Sequence, residues 1–152
     1  MAETTARRVA DAILSLSREQ GREIANLKLQ KPIYYAQAWF LALKDRKLFD
    51  EDLEAWVHGP VVARVFGDFK QYRWSPIIDV GITSNVSNDV LEHLGDVLFA
   101  YGDLSATQLE RLTHAEEPWR EARGNLPPDE PSRNVIKTEL MRSFYSSMLD
   151  NA

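Results

Sequence analysis

Between Asn26 and Lys44 the chain gives almost the whole circumference of one helix to apolar side chains. Leu29, Ile33, Ala36, Phe40 and Leu43 fall on one continuous helical face, and Tyr35, Trp39 and Ala42 widen it. Gln30, Gln37 and Lys44, spaced by seven, keep the one consistently polar edge. A helix of this kind must be covered on most sides, so the pattern predicts a central helix with the others packed around it. Asn26 is a good N-cap residue and is expected to start it. Pro32 lies in its interior, removes the N–H that would bond the Lys28 carbonyl and crowds that turn, so a kink or a restart is expected there.

The remaining chain supplies the covering elements. A first helix is expected from about Thr5 to Arg18, with Val9, Ala12, Ile13 and Leu16 inward. Leu53, Ala55 and Val57 alternate with Glu54, Trp56 and His58, as in a short strand. Gly59 can reach backbone angles closed to other residues, and Pro60 suits the first turn of a helix, so the pair reads as a helix entrance. Val61, Val62, Val65, Phe66 and Phe69 then form an apolar stripe. From Tyr72 to Ser87 the residues Pro76, Ile77, Ile78, Val80 and Ile82 favour β structure, while Gly81, Asn85 and Asn88 mark turns. A strand or hairpin is expected there, paired with Leu53–Val57. Ser87 caps a helix carrying Val90, Leu91, Leu94, Val97, Leu98 and Tyr101, and Ser105 with Gln108 forms a capping box for the next. That helix ends near His114, and Glu117-Pro118-Trp119 opens a further helical turn. After the Pro-rich loop from Asn125 to Pro131, a last helix is expected to line up Ile136, Leu140, Phe144 and Met148. The fold class is mainly α with a small β element: a compact bundle of six or seven helices and a short strand pair or hairpin, spanning 1–152 as one domain.

Composition narrows the chemistry. There are no cysteines, which excludes disulfides, thiolate metal sites and cysteine nucleophiles and suits a reducing cytoplasm. No apolar run near Glu3, Arg7 and Arg8 resembles a secretion signal, and none elsewhere has the length of a membrane span, so the cytoplasm is the expected location. With 23 acidic and 18 basic side chains the net charge is −5, which argues against nonspecific nucleic-acid binding. His58, His93 and His114 show no metal-ligand spacing. His93, beside Glu92, reads as exposed on the polar side of its helix. His114 with Glu117 is the one candidate acid–base pair, but a Thr-His sequence before Pro-Trp more often closes a helix by bonding to its backbone. Asp50-Glu51-Asp52 and Glu116-Glu117 read as solvated charges, since adjacency in sequence does not place two carboxylates across a cleft. No phosphate loop, dinucleotide fingerprint or nucleophile elbow is present, so the chain reads as a non-enzyme without a cofactor.

Four blocks together carry a family resemblance: LKLQKPIYYAQAWFLAL at Leu27–Leu43, LFDEDLEAWVHGPVVARVF at Leu48–Phe66, LSATQLERLTHAEEPWREAR at Leu104–Arg123, and the terminal helix around Ile136–Leu149. In this order and spacing the chain resembles the Panacea domain family of SocA-like and GepA-like antitoxins. Leu29, Lys31, Tyr35, Ala36, Trp39, Trp56, Gly59, Pro60, Val61, His114, Pro118 and Trp119 are the motif positions, with structural roles. Pro32 departs from the pattern, where similar proteins carry a leucine-like residue. The resemblance implies a bacterial antitoxin that neutralises a cognate toxin, encoded beside it, by direct protein–protein binding. It further points to an adaptor role that delivers the toxin to a AAA+ protease such as ClpXP. The expected anchors are exposed aromatics and arginines bordering the β element, namely Tyr72, Arg73 and Trp74, with His58 beside them. Two other functions compete: a DNA-binding autoregulator, for which no basic recognition helix is legible, and an enzyme reversing toxin damage through His114 and Glu117.

Overall fold

The computed structural model describes residues 2–78 and 85–150. Helix α1 (Ala6–Glu19) starts where Thr5 accepts a hydrogen bond from the Arg8 N–H, and it buries Val9, Ala12 and Ile13. Helix α2 (Asn26–Lys44) is the centre of the molecule, with contacts to α1, to the hairpin and to most later helices. It passes through Pro32 as one helix, so of the two outcomes expected there, a kink or a restart, the restart does not occur. The hairpin β1 (Glu54–Trp56) and β2 (Gly59–Val61) leads into α3 (Ala63–Asp68). After a 3-10 turn at Lys70–Tyr72 and the segment outside the described residues come α4 (Asn88–Tyr101), α5 (Ala106–Ala115), α6 (Glu117–Arg123) and α7 (Thr138–Asp150). Seven α-helices and one two-stranded sheet therefore make up the described residues, the mainly α bundle with a small β element that the sequence predicts. The Ser87 cap and the reciprocal Ser105–Gln108 capping box both form.

Several expectations are corrected. Asn26 does not cap α2: Ala25 holds that position, and the Asn26 amide donates to the Phe66 carbonyl at 2.8 Å. A short polar side chain at a helix start serves a tertiary partner as readily as its own backbone. Gly59-Pro60 is not a helix entrance but the start of β2, in antiparallel register Glu54–Val61, Ala55–Pro60 and Trp56–Gly59. Proline tolerates this because a two-stranded ribbon leaves an edge where its missing N–H breaks no ladder. The partner of Leu53–Val57 is thus β2, and on its other side Ala55 N–H donates to the Asn134 carbonyl while Ile136 N–H donates to Leu53. The segment after Tyr72 instead meets the stretch leading into α2, through a bridge between Ala25 and Pro76 and a bond from Ile77 N–H to the Ile24 carbonyl. The expected β residues Val80 and Ile82 and the turn residue Gly81 lie outside the described residues.

Two residues of the polar edge of α2, Gln30 and Gln37, are also inside, while Lys44 is exposed. Gln37 accepts from the N–H groups of Leu48 and Phe49 and donates to the Phe49 carbonyl, and Gln30 accepts from Val62 N–H at 3.1 Å. These amides satisfy the backbone of the two loops that wrap the helix, which is why burial does not penalise them. His93 is buried rather than exposed, with Nε2 2.8 Å from the Ala36 carbonyl. On α7 the buried residues are Met141 and Tyr145, Met148 is exposed, and Ile136 is buried before the helix begins.

Candidate partner-binding site

Several of the motif residues converge on one corner of the bundle. Gly59 has φ 125, and a Cβ there would stand 2.9 Å from Lys31 Cε and 3.1 Å from Thr113 Oγ1. Glycine therefore lets β2 lie directly on the Lys31 side chain. Lys31 is 2% exposed, its ammonium donates to the Leu27 carbonyl at 3.2 Å, and burial pulls its pKa down to about 8 against the attraction of Glu110. Trp119 donates from Nε1 to the Trp56 carbonyl at 2.8 Å, pinning α6 to the hairpin. His114 does not close its own helix. Its ring stacks on Trp119 at 3.9 Å, and burial lowers its pKa although a backbone bond to Val57 opposes that. Pro118 sits in the first turn of α6, where its missing N–H is harmless.

A second group lies beneath this corner. Tyr35 Oη donates to Glu116 Oε1 at 2.6 Å, and Tyr145 Oη donates to the same oxygen at 3.1 Å. Since the Tyr145 proton is used there, Tyr34 Oη donates to Tyr145 across 2.9 Å. Tyr35 also stacks on Tyr101 at 3.9 Å, and Trp39 Nε1 donates to Tyr101 Oη at 2.8 Å. Burial raises the pKa of Glu116, opposed by its tyrosine donors, and raises all four tyrosines. Leu29 and Ala36 complete this part of the core, and Val61 is buried on the hairpin. Glu116 is therefore a structural acceptor and not a solvated charge. Sequence reading missed Glu116, Tyr145 and Arg123, whose guanidinium donates to the Ala55 and Pro127 carbonyls at 3.2 and 2.9 Å. The nearest sequence signal is an arginine four residues before a Pro-Pro pair.

The surface residues are distributed differently. His58, at the hairpin turn, places Nδ1 2.6 Å from Glu110 Oε1 and is held to α5. Tyr72 packs partly into the core, while Arg73 takes φ 51, uncommon for a residue with a Cβ, and the chain reverses so that Trp74 is 83% exposed. His58 thus belongs to the α5 side, and Arg73 with Trp74 forms the projecting group after the 3-10 turn. His114 and Glu117 line different clefts: the first with Trp119 and Leu126, the second with Phe144 and Asn125. Among the described residues no group of three or more histidine and acidic side chains is placed to hold a metal ion, and no helix is long and apolar enough to cross a membrane.

Residues 29–120, which contain the corner, the hairpin and Glu116, match the family model described as "Antitoxin SocA-like, Panacea domain". The chain belongs to the SocA-like Panacea-domain antitoxin family. The antitoxin SocA of Caulobacter vibrioides (strain NA1000 / CB15N) is 33% identical over 127 residues, a match covering 75% of this chain and 68% of that protein. No solved structure matches. Membership gives this Panacea domain a non-catalytic antitoxin role. Among its motif residues, Lys31, Trp56, Gly59 and Trp119 meet at the hairpin corner.

Proposed function

We propose that this Panacea protein neutralises a cognate toxin, encoded beside it, by direct protein–protein binding in the bacterial cytoplasm, with Arg73 and Trp74 as central contacts, Tyr72 supporting them, and His58 on the α5 side as a separate contact. Family membership carries the antitoxin role. The observation that favours this face is Trp74, a large ring left 83% exposed by the unusual backbone at Arg73. Tryptophan and arginine are the residues most often found at the energetic centre of interfaces. Delivery of the bound toxin to a AAA+ protease such as ClpXP is a finer mechanism within this reading, and it requires the toxin to be degraded faster when this protein is present.

The test is to express the neighbouring gene under tight control with and without this protein, together with a pull-down. Growth arrest relieved by a stable complex is the expected result. Trp74→Ala, which removes an exposed ring, should weaken the complex by about 2 kcal/mol or more, roughly thirtyfold in Kd, and leave the fold intact. Rescue without a complex would refute direct binding. Toxin half-life in cells with and without the protease separates delivery from simple blockade.

A further inference from the structure

Helices α2 and α4 leave a cleft of about 190 Å³ between them, lined by Trp39, Leu43, Val97, Ala100 and Tyr101 with Asp96 and His93 at its edges. Its floor is fixed, because Trp39 is bonded to the Tyr101 hydroxyl and His93 to the Ala36 carbonyl. Leu43 is 54% exposed at its rim, although it sits on the most apolar face of the central helix. On α4, Phe99 is 91% exposed, and Asp89, Glu92 and Asp96 share the exposed side with it at helical spacing. None of these three carboxylates has a salt bridge among the described residues, whereas Asp103, just past the end of α4, is paired with Arg22. Lys44 is the cation whose charge reaches His93 from the α2 side, and burial disfavours protonation of His93 itself. The cleft is thus apolar inside, with Asp96 in its lining and Asp89 and Glu92 continuing the acidic stripe along the exposed side of α4.

We propose that the α2–α4 cleft is a second docking surface, which takes a cationic amphipathic helix of a protein partner. Apolar side chains of that helix would enter between Leu43 and Ala100, and its lysines or arginines would face Asp89, Glu92 and Asp96. A groove between two helices suits a helical occupant, whose anchors recur every three or four residues along one face. The unpaired carboxylates select its charge, since an anionic helix would meet like charge along the whole wall. This surface is independent of the toxin contact at Trp74, and its test uses no toxin.

The full chain is titrated with a short amphipathic helical peptide of leucine and lysine, and in parallel with an analogue carrying glutamate at every lysine position, while backbone amide shifts are recorded. Saturable binding of the lysine peptide is expected, with shifts centred on α4 and Leu43 and weakening as salt is added. Ala100→Arg, which fills the cleft with a cation, and Asp96→Lys should each weaken binding roughly tenfold or more, and Trp74→Ala should leave it unchanged. Circular dichroism verifies the fold of each variant. The proposal is overturned if the lysine peptide does not bind, if the glutamate analogue binds as well, if the shifts centre elsewhere, or if folded Ala100→Arg and Asp96→Lys chains bind like the parent.

Discussion

Lys31 is the residue whose side chain and surroundings are most at odds. Its ammonium is withdrawn from water under Gly59, with the Leu27 carbonyl as hydrogen-bond acceptor and Glu110 as the attracting charge. Its pKa in the folded chain, about 8, lies below the ordinary lysine value, so between about pH 8 and 10.5 the unfolded chain holds more protons. Stability contributed at this position therefore rises with pH across that window, and below it the penalty is fully present, about 3 kcal/mol. Lys31→Met should be at least as stable as the parent at pH 7 in urea unfolding and should lose the rise between pH 8 and 10.5. A clear loss of stability at pH 7 would show that the ammonium's hydrogen bond outweighs its desolvation. At this scale the sequence is a poor guide to polar residues. Glu116 looks like a surface charge, and the burial of Lys31 has no local signal, until the residues that surround them, from α2 and α7 in the first case and from α5 in the second, are in place.

Among the elements, the hairpin depends most on one position. At φ 125 a side chain at residue 59 is strained whatever room it finds, and its Cβ would also press on Lys31. Gly59→Ala should destabilise the chain by about 1–3 kcal/mol in denaturant unfolding. Adding Lys31→Ala should recover only the steric part, because the backbone conformation remains. Helix α2 was legible from its circumference of apolar residues, and α4 and α5 from serine caps, since each signal lies within a few residues of the structure it sets. The Gly-Pro corner was not. The fixed φ of proline suits both a first helical turn and an edge strand, and the choice was made by contacts from far along the chain: Asn134 and Ile136 on β1, and Trp119 on the Trp56 carbonyl.

For the molecule as a whole, Tyr145 is the joint that binds the last helix to the rest. Its hydroxyl receives a proton bond from Tyr34 on α2 and gives one to Glu116 at the α5–α6 junction, while its ring meets Trp39 at 5.3 Å. Tyr145→Phe keeps the ring but leaves the Tyr34 hydroxyl without its acceptor and Glu116 with one donor fewer. A loss of about 1–3 kcal/mol in global unfolding is expected, with α2 and α7 still melting together. A change below a few tenths would mean that water replaces the lost bonds. The sequence by itself determined the helical class, the central helix and the serine caps of α4 and α5, and with them the Panacea-domain resemblance, because periodicity and capping are local properties of the chain. Only the tertiary structure decided that Gln30, Gln37, His93, Glu116 and Arg123 lie inside. A polar group leaves water only where distant segments supply its hydrogen-bond partners, and no short window of sequence contains them.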